Sequence, residues 1–297
     1  MRNTSRLLTG AILAATVGLG ACSDSSGPTN IPLSASNAAQ VGDAVASTTD
    51  LALLGVQPSV PNFGIGLPLF ANGRAITGGL TFAPPAAPPE SCASASDLTD
   101  TDGDGVPDNA VWTFTAANCT DTDVEGNRSV VTGSVAIADP GLTAGYDLQL
   151  NSLTSQFFRS GDLTPFVQLI MDGDWSLRGT SDAITADQNY TYVLSVQNER
   201  VSLANDLAVA FTAASGTSIA WGVPLPNGTI SIDGAWRVSS SRETHSLTLV
   251  TATPLSYDDT CQGVVAGILD AYGTGGAVRV TWTGCGTYDA VFLPNAQ

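Results

Sequence analysis

The chain alternates apolar and polar residues through Met171-Asp-Gly-Asp-Trp-Ser-Leu177, and it does so again through Ile232-Asp-Gly-Ala-Trp-Arg-Val238. A third segment, Val131-Thr-Gly-Ser-Val-Ala-Ile137, has the same pattern with its glycine in the same place. Strict alternation predicts β-strands with one apolar face and one polar face. The shared glycine predicts a kink or a close approach of two backbones, and therefore a strongly curved sheet.

Each of these segments is followed by a second alternating run, so that each pair forms a predicted hairpin. The second runs are Tyr146–Leu150, Tyr190–Leu194 and His245–Leu249. The units are unequally spaced, which indicates a degenerate hairpin duplication and not a solenoid. We therefore predict an all-β domain over residues 90–297. It should be a mainly antiparallel, curved meander sheet that forms a sandwich or a partial barrel. One face of the sheet should be exposed to solvent.

Residues 36–82 are predicted to hold one short N-terminal helix and one hairpin. The helix should run from Asn37 to Leu54, with Asn37 and Gln40 as a capping box. Asn72-Gly73 lies between two short apolar runs and predicts a hairpin turn. Residues 83–89 are rich in proline, which cannot join the interior of a sheet, and are predicted to be a spacer. The apolar face of the helix should consist of Val41, Ala44, Val45, Thr48 and Ala52.

The first residues resemble a bacterial lipoprotein signal. Arg2 and Arg6 precede an apolar run that is too short to span a bilayer as a stable helix. The run ends in Leu19-Gly-Ala-Cys22, which resembles the lipobox read by lipoprotein signal peptidase. The resemblance implies a signal peptide over residues 1–21 and a lipidated Cys22 at the mature N-terminus. Two or three acyl chains would hold the protein stably on a membrane.

Residues 22–35 are rich in serine, glycine and proline and are predicted to be a flexible tether. Ser23 stands where retention in the inner membrane favours aspartate, so the sorting rule implies the outer membrane of a two-membrane bacterium. The expected location is the cell envelope, with the membrane as a partner through the lipid. The alternative is an ordinary cleaved signal in which the cysteine is accidental.

The chain is acidic and contains no lysine. Its formal net charge is −17, and only 12% of its residues are charged. An acidic surface repels phosphate groups, which argues against nucleic-acid binding. Without lysine there is no Schiff base or amine nucleophile.

The single histidine, His245, takes the strand position that Tyr146 and Tyr190 occupy in the other repeats, so we expect it to be structural. Catalysis by paired carboxylates stays possible, since glycoside hydrolysis needs only two acids. Such an enzyme would be recognised by paired acids in a tryptophan-lined cleft. Three tryptophans lie on the apolar side of their strands and are expected in the core instead: Trp175, Trp236 and Trp282.

Four cysteines remain besides Cys22. Cys92, Cys119, Cys261 and Cys285 allow three disulfide connectivities. We favour the two pairs that are local in sequence, Cys92 with Cys119 and Cys261 with Cys285, because they close the shorter loops. A metal site is disfavoured because the chain has no Cys-x-x-Cys motif and no histidine partners. An oxidising envelope favours disulfides.

One segment has the residues of a cation site: Asp100-Thr-Asp102-Gly-Asp104-Gly-Val106-Pro-Asp108. It resembles the calcium loops of thrombospondin type 3 repeats and the first half of an EF-hand loop. The resemblance implies a structural Ca²⁺ held by the side chains of Asp100, Asp102 and Asp104, the carbonyl of Val106, and Asp108 directly or through water. Unlike an EF-hand, the segment has Val111 at the twelfth position and no flanking helices. The alternative is a solvated turn.

The chain as a whole resembles uncharacterised, β-rich bacterial lipoproteins. The shared features are the lipobox with its serine-rich tether, the Asp-Gly loop bracketed by cysteines, and the ending Val278-Arg-Val-Thr-Trp-Thr-Gly-Cys-Gly286. No activity comes with this resemblance. We expect a lipid-anchored, non-enzymatic envelope protein with a binding or structural role. The alternatives are a half-barrel carrier of a lipid or other hydrophobic ligand, which needs an open apolar cavity, and a carbohydrate-active enzyme that uses paired carboxylates.

Overall fold

The computed structural model describes residues 29–57, 62–63, 69–71, 74–76, 80–81, 92–103, 106–141, 144–196, 199–220, 223–240 and 243–294. The predicted signal peptide, Cys22, Asp104 and the proline-rich spacer 83–89 lie outside the described residues. Among the described residues, no helix is long and apolar enough to cross a membrane.

One helix and eighteen strands make up the described chain. The helix α1 spans Ala38–Gly55. The short strands are β1 Thr29–Asn30, β2 Asn62–Phe63, β3 Leu69–Ala71, β4 Arg74–Ile76, β5 Leu80–Thr81, β6 Ser94–Ser96 and β8 Thr120–Thr122. The longer strands are β7 Asn109–Phe114, β9 Arg128–Ala138, β10 Ala144–Phe158, β11 Val167–Gly179, β12 Ala183–Val196, β13 Glu199–Ala213, β14 Gly228–Ser240, β15 Glu243–Asp258, β16 Gly263–Gly273, β17 Gly276–Gly284 and β18 Thr287–Pro294.

Most of these strands form one antiparallel sheet. Strands β9 to β18 pair in sequence order, and β7 and β6 extend the sheet beyond β9. The two ends of this path, β18 and β6, are not paired with each other, so the sheet is open. The prediction of a mainly antiparallel meander with one short helix is confirmed.

The two faces of the sheet differ because side chains alternate along each strand. In β12, Ile184, Ala186, Gln188 and Tyr190 are buried, whereas the residues between them are exposed. We call the side that carries the buried residues and α1 the inner face, and the opposite side the outer face. Burial on the inner face raises the pKa of Tyr190 to about 12.

The predicted backbone role of the repeat glycines is confirmed. Gly133, Gly173 and Gly234 have φ values of 114°, 141° and 138°, a region that disfavours any residue with a Cβ. At each of them a Cβ would overlap the backbone of the neighbouring strand. The aspartates that precede two of these glycines bond to the neighbouring strand where its pairing is irregular. Asp172 accepts a hydrogen bond from Ser152 N, and Asp233 accepts one from Thr251 N.

Helix α1 lies on the inner face, and its buried side is the predicted one. Val45, Thr48 and Ala52 are at most 2% exposed. Both helix glycines allow close approach, because a Cβ at Gly42 would overlap Ala290 of β18 and a Cβ at Gly55 would overlap Trp175 and Gln188. Thus α1 packs against both the end and the middle of the sheet.

The start of α1 differs from the prediction. Asn37 occupies the N-cap but makes no capping bond with its side chain. Instead, its Oδ1 accepts a hydrogen bond from Ser34 N, and its Nδ2 donates one to Pro32 O. The proposed capping box with Gln40 is therefore wrong, because the Asn37 side chain holds the segment before the helix.

The predicted flexible tether is also too long. Thr29 and Asn30 pair in parallel with Glu243 and Thr244 of β15, and Leu33 is buried and donates its N–H to Thr274 O. Residues 29–35 are thus docked on the sheet, and the rest of the predicted tether, residues 22–28, lies outside the described residues. The predicted hairpin fits the antiparallel pairing of β3 with β4 on either side of Asn72-Gly73.

Candidate functional site

A groove with a volume of about 830 Å³ crosses the outer face from β7 and β9 to β14. Two rows of side chains from neighbouring strands form its walls, and one row contains Ala138, Ser176 and Ala208. Small residues leave space between the rows, which is why a sheet face holds a groove here. Five aspartates also line it: Asp147, Asp174, Asp187, Asp206 and Asp233.

The register of the strands arranges these aspartates in a zigzag. Asp174 lies opposite Gln149, two residues from Asp147, and also opposite Asn189, two residues from Asp187. The same diagonal relation joins Asp187 to Asp206 and Asp206 to Asp233. Diagonal neighbours of this kind lie roughly 7–8 Å apart. Five consecutive strands, β10 to β14, therefore each contribute one carboxylate to the groove.

Within the part of the chain that the structure describes, two of the five carboxylates have partners. Asp147 forms an ion pair with Arg178, with 2.6 Å between Asp147 Oδ1 and Arg178 Nη2. Asp233 accepts the hydrogen bond from Thr251 described above. Among the described residues, no three histidine, cysteine, aspartate or glutamate side chains converge as they would around one metal ion. The acids of the groove are thus spread along it.

The inner face carries the tryptophans and the histidine that were candidates for a catalytic site. Trp236 and Trp282 are buried in the core, and the Trp175 ring stacks against Tyr190 with 6.1 Å between ring centroids. His245 lies on the same face, opposite Val238 of β14. Trp236 and Trp282 therefore pack inside the fold, while Trp175, whose ring stacks on the inner side, is also one of the residues that line the acidic groove. The inner side chains of the central strands are also packed, and Leu177, Ile184 and Leu207 are at most 2% exposed.

Both predicted disulfides are present. Cys92 is bonded to Cys119, 27 residues away, and Cys261 to Cys285, 24 residues away. The second bond joins the β15–β16 turn to the β17–β18 turn. The first ties the segment before β6 to the segment before β8.

The segment resembling a calcium loop closes on itself in the structure. The Asp108 carboxylate accepts hydrogen bonds from Thr101 N and Thr101 Oγ1, and Asp108 N donates to Thr99 O. The bonds from Thr101 hold the pKa of Asp108 below its usual range. Asp100 Oδ1 accepts a hydrogen bond from Gly103 N. These bonds place the Asp108 carboxylate next to Thr101, the residue between Asp100 and Asp102. Asp104 lies outside the described residues.

The groove is the feature that sequence analysis missed. Asp172, Asp174 and Asp233 stand out in the sequence as residues on the polar side of their strands, but their neighbours across the sheet depend on the strand register. The available signal was at least one aspartate on the polar side of every strand from β10 to β14. Comparison with protein-family models, with curated proteins and with solved structures finds no match to this chain.

Proposed function

We propose that the protein is a lipid-anchored envelope component that acts by binding, and that its outer-face groove takes an elongated cationic ligand such as a basic peptide segment. The groove is the observation that carries the binding role. The lipobox pattern at Cys22 supports the anchor, and the acidic composition supports a cationic partner.

The spacing of the carboxylates favours an elongated ligand over a single ion. Neighbouring strands are about 4.8 Å apart, so β10 to β14 spread the five aspartates over about 19 Å. One exposed ion pair contributes only about 0.2–1 kcal/mol, so useful affinity requires several pairs at once. A basic peptide meets this requirement because it carries its charges along an extended backbone.

A binding role fits the chain better than catalysis. Two residue types that enzymes often use as bases or nucleophiles do not reach the groove, since lysine is absent and the one histidine faces inward. A carboxylate-pair enzyme would gain support from tryptophan rings beside the acids, but Trp112, Trp236 and Trp282 are buried in the core and the Trp175 ring stacks on Tyr190 of the inner face.

The binding proposal is tested by calorimetric titration with penta-arginine. The wild-type protein should bind it, and affinity should fall as salt is added because exposed charge pairs are screened. The double variant Asp187→Asn/Asp206→Asn should bind roughly twofold to thirtyfold more weakly, because it loses two exposed ion pairs.

The matched control removes two exposed carboxylates outside the groove. Asp162→Asn/Asp289→Asn has the same net charge as the groove variant and should bind the peptide nearly as well as wild type. Equal weakening by both variants would mean that the peptide responds to total charge only, and the groove proposal would be wrong.

The anchor is tested separately in a Gram-negative host. The full chain should fractionate with membranes and incorporate labelled palmitate, and Cys22→Ala should lose both properties. A wild-type protein that is as soluble and unlabelled as the variant would contradict the lipobox interpretation.

We also propose that residues 100–108 hold a structural Ca²⁺. Asp100, Asp102, Asp104 and Asp108 supply hard oxygen ligands, the Val106 carbonyl supplies another, and the closed loop supports the proposal by joining Asp108 to Thr101. The bound ion would offset the mutual repulsion of these carboxylates.

Millimolar Ca²⁺ should raise the melting temperature, and EDTA should reverse the gain. The affinity typical of extracellular calcium modules is on the order of 10⁻⁴–10⁻³ M. Asp102→Ala should abolish the response while Asp121→Ala, a nearby control, should retain it. An unchanged melting curve at 10⁻² M Ca²⁺, about ten times the weakest expected dissociation constant, would reduce the segment to a polar turn.

A further inference from the structure

Every second turn between successive strands lies along one edge of the sheet, which is formed by the ends of the strands. Register places Arg128 of β9 beside Phe158 of β10, Val196 of β12 beside Glu199 of β13, and Ser239 of β14 beside Thr244 of β15. We call this edge the tether rim. The opposite edge carries the other turns, among them the β15–β16 and β17–β18 turns that the Cys261–Cys285 disulfide joins. The segment 100–108, which precedes β7, lies toward that edge as well.

The chain from the lipid anchor reaches the sheet at the tether rim. Thr29 pairs with Glu243, the first residue of β15. Residues 22–28 separate the lipobox cysteine from this point, and seven residues span at most about 25 Å. If Cys22 carries the lipid, the tether rim is held within about that distance of the bilayer.

Two loops on the same rim pack against each other. They are the β8–β9 turn, residues 123–127, and the β10–β11 loop, residues 159–166, and we call them the tip loops. Ser160 N donates a hydrogen bond of 3.2 Å to Asn127 Oδ1. A Cβ at Gly126 would touch Ser160 Oγ, so the loops are also in close contact there.

Each tip loop presents a large apolar side chain that the fold leaves in water. Val124 is 105% exposed and Leu163 is 94% exposed, the two highest values among the large apolar residues of the described chain. Folding gains nothing from either side chain. Burying a side chain of this kind in an apolar medium is favourable, by about tenfold or more in a binding constant.

Arginine and phenylalanine surround these apolar residues. The Arg128 guanidinium lies 4.2 Å from the centroid of the Phe158 ring, and the Arg159 guanidinium lies 5.1 Å from the centroid of Phe166. The same region contains three acids, Asp123, Glu125 and Asp162, so the two arginines offset all but one of its negative charges. Arginine on an aromatic ring beside exposed aliphatic residues is typical of a surface that contacts lipid headgroups.

We propose that the tip loops dock on the bilayer that holds the lipid anchor, with Val124 and Leu163 at the boundary between headgroups and acyl chains. This inference rests on the proposed lipidation of Cys22. Five strand spacings separate β15 from β10, about 24 Å at 4.8 Å each. The attachment point of the tether and the tip loops lie on the same rim, so the anchor and the tip loops can touch one flat membrane together. The tether rim then faces the lipid.

The proposal is tested with the lipidated full chain in phosphatidylcholine vesicles. Single cysteines are introduced by Val124→Cys, Leu163→Cys or Val223→Cys and labelled with an environment-sensitive fluorophore. Val223 is the matched control, an exposed valine in the β13–β14 loop at the opposite edge. The labels at 124 and 163 should brighten at least about twofold on vesicles and be quenched by a nitroxide on the acyl chain, as interfacial burial requires.

Flotation of the vesicles separates the possible failures. If the protein floats with the vesicles but the labels at 124 and 163 stay in water, the anchor proposal stands and the docking proposal is overturned. Equal quenching at 223 also overturns it, because adsorption would then have no orientation. A protein that does not float contradicts the anchor, and the docking that rests on it falls as well.

Discussion

The inner and outer faces of the central strands use neighbouring residues for different purposes. In β13, Leu207 is 2% exposed in the core, whereas Asp206 and Ala208 on either side of it line the groove. The inner side chains are fixed by packing against one another and against α1. The outer side chains need only be compatible with a strand.

This difference indicates which residues folding does not explain. A core position loses free energy with almost any change of size or polarity, so its residue is dictated by the fold. Asp147 and Asp233 have partners within the protein, but Asp174, Asp187 and Asp206 only add to the mutual repulsion of the carboxylates, so the fold gains no stability from those three. An arrangement that costs the fold something is best explained by a role in binding.

The sharpest test of this contrast compares adjacent residues on opposite faces. Leu207→Ala should destabilise the protein by about 2–5 kcal/mol, because it leaves a cavity in the core. Asp206→Ala should change stability by less than about 0.5 kcal/mol, as surface substitutions do. Urea denaturation of both variants measures this, and similar losses would show that the outer face also holds the fold together.

The Cys261–Cys285 bond lies outside both faces and should affect only stability. The double variant Cys261→Ser/Cys285→Ser should lose about 3 kcal/mol, because the unfolded chain is no longer constrained across the terminal strands. Its affinity for penta-arginine, measured at a temperature where it is folded, should equal that of wild type. Weaker peptide binding would mean that the groove depends on the far end of the sheet.

The close approach of α1 to β18 predicts a smaller effect. Gly42→Ala improves helix propensity, but its new Cβ would overlap Ala290, so we expect a net loss of about 1–3 kcal/mol. Ala290→Gly in the same chain removes the clash and should recover most of that loss. A double-mutant cycle by urea denaturation measures the coupling, and additive effects would contradict the contact.

The smallest predicted effect is a pH dependence at α1. Surrounding protein desolvates the Asp50 carboxyl and raises its pKa from 3.8 to about 6, although part of the side chain reaches solvent. A raised carboxyl pKa favours the protonated folded state, so this contribution is fully present below pH 3.8 and is lost as pH rises to 6. Solvent screening limits it to less than about 1 kcal/mol.

Asp50→Asn should therefore raise the melting temperature at pH 7 and flatten its change between pH 4 and pH 6. Asp43→Asn is the control, because Asp43 lies on the same helix and accepts a hydrogen bond from Tyr288 of β18. An Asp50→Asn melting curve that depends on pH as wild type does would contradict the raised pKa.

The strands and their kinks could be predicted because their signals are local. Alternation within Met171–Leu177 and its repeats sets the faces, and Gly173 and Gly234 have the backbone conformations that their positions suggested. The capping box at the N-terminus of the helix was predicted wrongly because the Asn37 side chain bonds to the preceding segment instead. Those bonds depend on how residues 32–34 pack, which the local sequence pattern does not show.

The groove could not be predicted from the sequence because it is made by register. Asp147 and Asp233 are 86 positions apart in the chain, and only the pairing of five strands aligns them. A shift of one residue in any pairing would move an aspartate to the other face. Local patterns contain no information of that kind.

A bulky label tests whether the outer-face groove binds its ligand independently of the core. Ala208→Cys carries the label in the groove, and Val291→Cys carries the same label on exposed β18 outside it. Both labelled proteins should melt like wild type, but the label at 208 should abolish penta-arginine binding and the label at 291 should leave it intact. Full binding by the protein labelled at 208 would show that the groove is not the binding surface.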